Sequence, residues 1–377
     1  MKTPGERMST TTKRSRAGLA TITLSDSAGG IAYVARLMRL ALLQLTGADP
    51  WLVELTPTKF GRVSIGERAA FFMRLMAGQA ARRADWLIFD HVGVARAQAL
   101  VPWVLRRPYA VIMHDVEAWG PLTPARKLAF QKAAVRIAVS QYTQRQVSKV
   151  HPDIGIVLSC PLGLLPDADP AELGSPNLEL LTSIRPSSVL IIGRMSAISK
   201  HKGHDKLLAC WHRVLSKVPD AELLVVGTGD DRARLQSVAI GAGLGSSVRF
   251  LGFIPEATLQ PLLRRVALFA MPSAREGFGL VYLEAMRAGL ACIAGQNDAA
   301  GDTVVNGLTG LLVDPNDPDA LAGAITGLLL DIERRKLMGE AGRHQYQEHY
   351  TFARFYDRIA PILASTFGNC QKPVFPG

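Results

Sequence analysis

Short apolar runs alternate with longer amphipathic stretches along almost the whole chain. In the first half, the runs Leu19–Leu24, Trp51–Leu55, Trp86–Asp90, Tyr109–His114, Val135–Ser140 and Gly155–Ser159 read as strands. In the second half, Val189–Gly193, Glu222–Gly227, Val248–Leu251, Ala267–Met271, Ala291–Ala294 and Gly310–Val313 do the same. Between them lie helical patterns such as Ile31–Leu45 and Glu67–Arg83, and a last helix is expected over Phe352–Ala364. Buried strands alternating with helices predict parallel sheets covered on both faces. The expected fold is α/β, with two Rossmann-like domains facing each other across a cleft.

The expected division is a basic disordered tail over residues 1–17, a first domain over 18–165 and a linker over 166–185. A second domain covers 186–349, and a closing helix and tail over 350–377 cross back to the first domain. The linker rests on the stretch PDADPAELGSPN, rich in Pro, Asp and Gly.

Composition sharpens this picture in two places. No apolar run reaches the roughly 18 residues of a membrane span, and the basic N-terminus lacks the apolar segment of a secretory signal. The net charge of +11 is uneven, for residues 1–165 hold 22 Lys and Arg against 10 Asp and Glu. An anionic surface facing the first half is one reading and simple solubility is the other. The helical stretches Glu67–Arg83 and Val94–Arg107 combine Phe, Met or Trp with paired arginines, as interfacial helices do. Trp103, Arg106 and Arg107 are therefore the expected contacts with an anionic membrane. No nucleic-acid-binding signature is present, and the four cysteines (Cys160, Cys210, Cys292, Cys370) show no metal spacing and read as reduced thiols.

Candidate chemistry is sought at strand ends, where parallel sheets bind their ligands. After VLIIG come Arg194, Lys200 and Lys202 just before a helical pattern, a combination suited to a diphosphate. After ALFAM comes PSAREGFGLVYLEAMRAG. There Glu276 sits on a turn, Gly277 and Gly279 open the backbone to a ligand, and Glu284 lies in the following helix. Two carboxylates so spaced suit hydroxyls at opposite ends of an elongated polyol such as a nucleotide sugar. Asp317-Pro-Asp319 has a metal-site spacing but reads better as a helix cap, and no metal or cofactor is expected.

The segment Glu276 to Glu284 resembles the signature of family 4 retaining glycosyltransferases of the GT-B fold. Gly193-Arg194 with Lys202-Gly203-His204, Gly227-Thr228-Gly229-Asp230, Leu251-Gly252-Phe253 and Asn306–Val313 resemble further elements of that family, and Ala28-Gly29-Gly30-Ile31 its first-domain glycine loop. The resemblance implies that Arg194 and Lys202 hold the diphosphate, Glu276 the transferred sugar and Glu284 the ribose. It implies that Gly277, Phe278 and Gly279 support sugar and phosphates through their backbone, that Phe253 lies by the base, and that Gly29 and Gly30 approach the phosphates. It sets His114 beside the sugar, with His91 as its competitor, and Lys200 as a substitute for Lys202. The run KGHDKLLACW resembles exopolysaccharide mannosyltransferases, which implies GDP-mannose as donor and a polyprenyl-diphosphate-linked saccharide as acceptor. A UDP-sugar donor, or a catalytically weak nucleotide-sugar-binding subunit docked at the membrane, is the alternative. The implied location is cytoplasmic, on the inner face of the plasma membrane.

Overall fold

The computed structural model describes residues 15–25, 29–55, 63–169 and 173–368. It contains two six-stranded sheets, each parallel throughout the pairings described. In the first, β1 (Ala17–Thr21), β2 (Trp51–Glu54), β3 (Trp86–Phe89), β4 (Tyr109–Met113), β5 (Val135–Ala138) and β6 (Val157–Ser159) run in the order 2-1-3-4-5-6. In the second, β7 (Ser188–Ile192), β8 (Glu222–Val226), β9 (Val248–Gly252), β10 (Leu268–Met271), β11 (Cys292–Gly295) and β12 (Gly310–Val313) run in the order 12-11-10-7-8-9. All twelve expected strands form, within a few residues of their expected ends. The near-continuous apolar character that made them legible follows from burial on both faces.

The chain divides into two compact units. Of the described residues, one unit takes those up to Ile112, then Thr123–Arg136 and those from Arg358 on; the other takes Met113–Leu122 and Ile137–Asp357. In the first unit, Trp86 stacks on Phe367 of the last helix at 4.6 Å between ring centroids, and Phe89 meets Tyr109 edge to face. That helix runs Phe352–Phe367, a turn longer than its apolar pattern suggested. The helix Ile65–Ala80 starts on a capping box, in which Ser64 and Glu67 satisfy each other's backbone N–H groups. In the second unit Trp211 and Tyr282 are fully buried, and the Tyr282 hydroxyl donates to the Met271 carbonyl at 2.6 Å.

Three expectations change. The interfacial helix over Val94–Arg107 does not form. A short helix, Val92–Ala95, passes into a 3-10 turn at Arg96–Leu100 and the helical path ends there, ahead of Pro102. Within this bend Arg106 donates to the carbonyls of Ala99 and Val101, and Arg107 to that of Gln79. Both guanidinium groups thus hold backbone, while Trp103 beside them is 83% exposed. The basic tail stops short of residue 17, because Ala17 opens β1 and Arg16 pairs with Asp85 at 3.2 Å; residues 1–14 lie outside the described residues. The linker stretch is partly structured, with a helix at Leu178–Thr182 capped by Asn177 and with Asp167 paired to Arg287. Asp317 caps the helix Pro318–Leu330 by accepting from Asp319 and Ala320, as read from the sequence. Cys160, Cys210 and Cys292 are buried, and Cys370 lies outside the described residues. Among the described residues no helix is long and apolar enough to cross a membrane, and no group of three or more His, Cys, Asp or Glu side chains could hold a metal.

Candidate active site

Strand order locates the site. In the second sheet the chain proceeds outward from β7 through β8 to β9, then returns to pair β10 on the other side of β7. The order reverses between β7 and β10, and a ligand binds in the crevice beyond such a pair of carboxyl ends. The loops leaving these two strands carry Gly193 to Lys202 and Pro272 to Gly279 respectively.

From β7 the chain passes Arg194, which is exposed, and enters a 3-10 turn, Ala197–Lys202, ahead of the helix His204–Leu215. Lys200 on that turn is exposed and Lys202 is half-buried. From β10 the chain turns at Glu276, which is 6% exposed, and starts the helix Leu280–Ala288 after Gly279. The Lys202 ammonium donates to Glu276 Oε1, so the two loops close on each other through an ion pair. Spacing could not choose between Lys200 and Lys202, but geometry joins Lys202 to the candidate sugar carboxylate.

Gly277 is glycine for a reason that the local sequence does not reveal. A Cβ there would collide with the His114 carbonyl. The Thr143 hydroxyl bridges this approach, within reach of the carbonyls of both His114 (3.2 Å) and Gly277 (3.1 Å). His114 is anchored further by its N–H, which donates to Glu117 at 2.9 Å. His91, its competitor, belongs to the first unit, where its Nδ1 accepts from Gly93 N–H and caps a helix. Phe278 is buried against the Tyr350 ring, so only its backbone is available to a ligand. Phe253 follows the edge strand β9 and is 68% exposed. Gly29 and Gly30 open the helix Gly30–Thr46 in the first unit, and Gly29 as its N-cap residue supplies no side-chain cap.

Burial holds Asp298, Asp115 and Glu284 toward their neutral forms. Burial pushes Asp298 up to about 7, and the nearby Glu276 charge adds to the shift against the Ala300 amide and Lys202. Burial likewise pushes Asp115 up to about 6, with Glu117 and Glu276 contributing. Glu284 as a residue is half-buried, yet its carboxyl lies deep enough for desolvation to carry it to about 7, with Glu256 adding and Arg287 opposing. It accepts no hydrogen bond from the described residues. His204, opening its helix, is pushed down to about 4 by burial and is neutral. Asp115, Thr143 and Asp298 were not among the candidates from sequence. For Asp115 and Asp298 a signal existed, since each follows a strand end, β4 and β11 respectively.

Two parallel six-stranded sheets, with an ion-paired Lys–Glu couple at the switch point of the second, match the plan of the GT-B glycosyltransferases. Residues 184–345 match the family model described as Glycosyl transferases group 1. The chain is 30% identical over 268 residues to a GDP-mannose-dependent monoacylated alpha-(1-6)-phosphatidylinositol monomannoside mannosyltransferase of Corynebacterium glutamicum, covering 67% of this chain and 68% of that one. It is 29% identical over 309 residues to a GDP-mannose-dependent alpha-(1-6)-phosphatidylinositol monomannoside mannosyltransferase of Mycolicibacterium smegmatis, covering 75% and 80%. Among solved structures, sucrose-phosphate synthase from Thermosynechococcus elongatus aligns with a TM-score of 0.77 at 21% identity, over 94% of this chain and 99% of that one. Anabaena HepE in complex with UDP and glucose aligns with a TM-score of 0.74 at 20% identity, over 93% and 100%. The chain belongs to the group 1 glycosyl transferases, family 4 of the GT-B fold.

Proposed function

We propose that this glycosyltransferase moves a mannosyl unit from GDP-mannose to a hydroxyl of a lipid-linked acceptor, with retention of configuration and without a metal. The observation that carries the reading is the Lys202–Glu276 pair at the β7/β10 switch point, with Arg194 and Lys200 on the adjoining loop. Arg194 and Lys202 stabilise the negative charge that develops on the departing diphosphate, which is where fixed cations act most strongly. Lys200 adds to the same field. Glu276 orients the transferred sugar through its hydroxyls and stays within reach of Lys202, so it is not assigned as a nucleophile. The backbone of Gly277, Phe278 and Gly279 lines the phosphates and sugar, and Glu284 accepts from the ribose hydroxyls. Phe253 flanks the base, and His114 stands by the sugar. In the first unit, taken by itself, Gly29 and Gly30 open a helix whose N–H groups suit an anion.

The names of the mycobacterial and corynebacterial relatives favour GDP-mannose as donor and a phosphatidylinositol-anchored saccharide as acceptor. A polyprenyl-diphosphate-linked saccharide is the competing acceptor. Attachment to an anionic membrane on the cytoplasmic side is part of the same reading; Trp103, Leu100 and Val104, exposed at 83, 69 and 66%, favour contact with an apolar surface, whereas Arg106 and Arg107 beside them are half-buried on backbone carbonyls. One experiment tests these points together. Release of GDP or UDP is measured from GDP-mannose and UDP-glucose, with phosphatidylinositol monomannoside or polyprenyl-diphosphate saccharide in anionic or neutral vesicles, with and without EDTA. We expect GDP release that depends on the phosphatidylinositol acceptor, survives EDTA and is faster on anionic vesicles. UDP release alone, or loss under EDTA reversed by magnesium or manganese, would overturn the donor or the metal-free assignment.

A further inference from the structure

Beyond β11 the chain runs through Gln296, Asn297 and Asp298 into the 3-10 turn Ala299–Asp302. Asp298 is 5% exposed, and its Oδ1 accepts the Ala300 N–H at 2.9 Å, which caps the turn. Its Oδ2 is buried without a hydrogen-bond partner. A cap requires one carboxylate oxygen, and Ser or Asn would serve it as well. Leaving the second oxygen buried and unmet is unfavourable and has no return in the fold itself.

Asp298 lines a cavity of about 480 Å³ together with Tyr142, Arg145, Gln146, Gln296 and Asn297. Two of the charged groups around it are already engaged, since Asp302 accepts from Tyr142 N–H at 2.7 Å and from Arg145 at 3.4 Å. What remains is a phenol, three carboxamides and the unmet oxygen of Asp298. Such a lining mixes donors and acceptors without a strong net sign. It matches a polyhydroxylated ring better than an acyl chain or a phosphate. The Ala299 N–H donates to the Glu276 carbonyl at 3.2 Å, so this turn is stitched to the loop that bears the candidate sugar carboxylate.

We propose that Asp298 binds substrate, its Oδ2 meeting a hydroxyl of a hexose or polyol ring held in this cavity, and so helps select among hydroxylated substrates. The inference rests on the nucleotide-sugar reading given above. A hydroxyl both donates and accepts, and a carboxyl that titrates about 7 matches either role near neutral pH. The ring has two sources, the sugar of the donor or the acceptor.

The test compares the full chain with Asp298→Ser, which keeps a cap oxygen for Ala300 N–H and removes the second one, and with Gln146→Ala, which leaves the turn untouched. Calorimetry measures affinity for GDP, GDP-mannose, UDP and UDP-glucose, and initial rates measure the KM for phosphatidylinositol monomannoside. Affinity for the bare diphosphates is expected to hold within about twofold, while one hydrogen bond to the ring is lost at a cost of about fivefold or more. If the loss falls on the preference for sugar nucleotide over bare diphosphate, the donor supplies the ring. If it falls on the acceptor KM, the acceptor does. Asp298→Ser and Gln146→Ala that both fold and leave both quantities within about twofold would overturn the proposal and leave Asp298 a turn cap only. A wild-type chain that binds none of the four nucleotides would overturn the underlying donor reading instead, and that is seen before any variant is measured.

Discussion

Glu276 and Glu284 come from one motif, yet the structure gives them opposite surroundings. Glu276 lies on the turn after β10, almost fully buried, and receives the Lys202 ammonium. Glu284 lies in the helix that follows, carries no hydrogen-bonded partner among the described residues, and is pushed up to about 7. A buried carboxylate that already has its cation is organised before any ligand arrives. A carboxyl without one is held partly neutral until a ligand brings hydroxyl donors to it. The same strand-to-helix unit therefore offers one preformed contact and one that ligand binding completes.

The largest expected effect tests the preformed half. Lys202→Met leaves Glu276 buried beside no cation, which should destabilise the fold by about 2 kcal/mol, since hydrogen bonds to charged groups and half-exposed ion pairs fall in that range. Transfer should slow by roughly 10²–10³, the usual cost of one lost transition-state donor. Adding Glu276→Gln should restore most of the stability and none of the activity. Urea unfolding and steady-state rates on the single and double variants check this, and a stable but inactive single variant would separate the catalytic role from the structural one.

A smaller effect tests the other half. Glu284→Gln should weaken nucleoside diphosphate binding by about tenfold, equivalent to about 1.4 kcal/mol. Ligand hydroxyls donate to the ionised carboxyl, whereas in the free protein it titrates about 7. Affinity should therefore fall as pH drops below about 7, and the Gln variant should lose that dependence. Calorimetry between about pH 5.5 and 8.5 measures both; an identical slope in the variant would remove Glu284 from the site.

The smallest effect concerns stability alone. Asp90, Glu284 and Asp298 are each raised to about 7 and Asp115 to about 6. Between about pH 4 and 7 the folded chain thus holds protons that the unfolded chain has released. Stability must then decline as pH rises through that window, because it increases with pH only where the unfolded state binds more protons. Glu284→Gln should flatten the decline, because one of the groups that takes up a proton on folding is then gone. Unfolding midpoints across this range, in wild type and variant, supply the check.

The strands were legible because a strand buried on both faces must be apolar along its length, whatever it packs against. The false helix at Val94–Arg107 shows the opposite case. Its pattern counted Arg106 and Arg107 as solvent-facing charges, whereas they reach back to the carbonyls of Ala99, Val101 and Gln79. Arg136 does the same for Phe130, so part of the basic excess of the first half is occupied in holding turns. A charge count cannot distinguish a cation offered to a surface from one spent on a carbonyl.

The sequence by itself determined the parallel α/β plan, the strand ends where chemistry collects, and the Glu276-to-Glu284 motif, because each is written in residues close together along the chain. Only the tertiary structure decided that Lys202 rather than Lys200 pairs with Glu276, 74 residues away. It alone showed that Gly277 yields to the His114 carbonyl, and that Asp298 keeps an unmet oxygen beside a polar cavity. The Lys202–Glu276 contact depends on which strand ends become neighbours when the sheet order reverses between β7 and β10, and the other two on segments that follow β4 and β11. No local pattern encodes that adjacency, since it is fixed by packing between segments far apart in the chain.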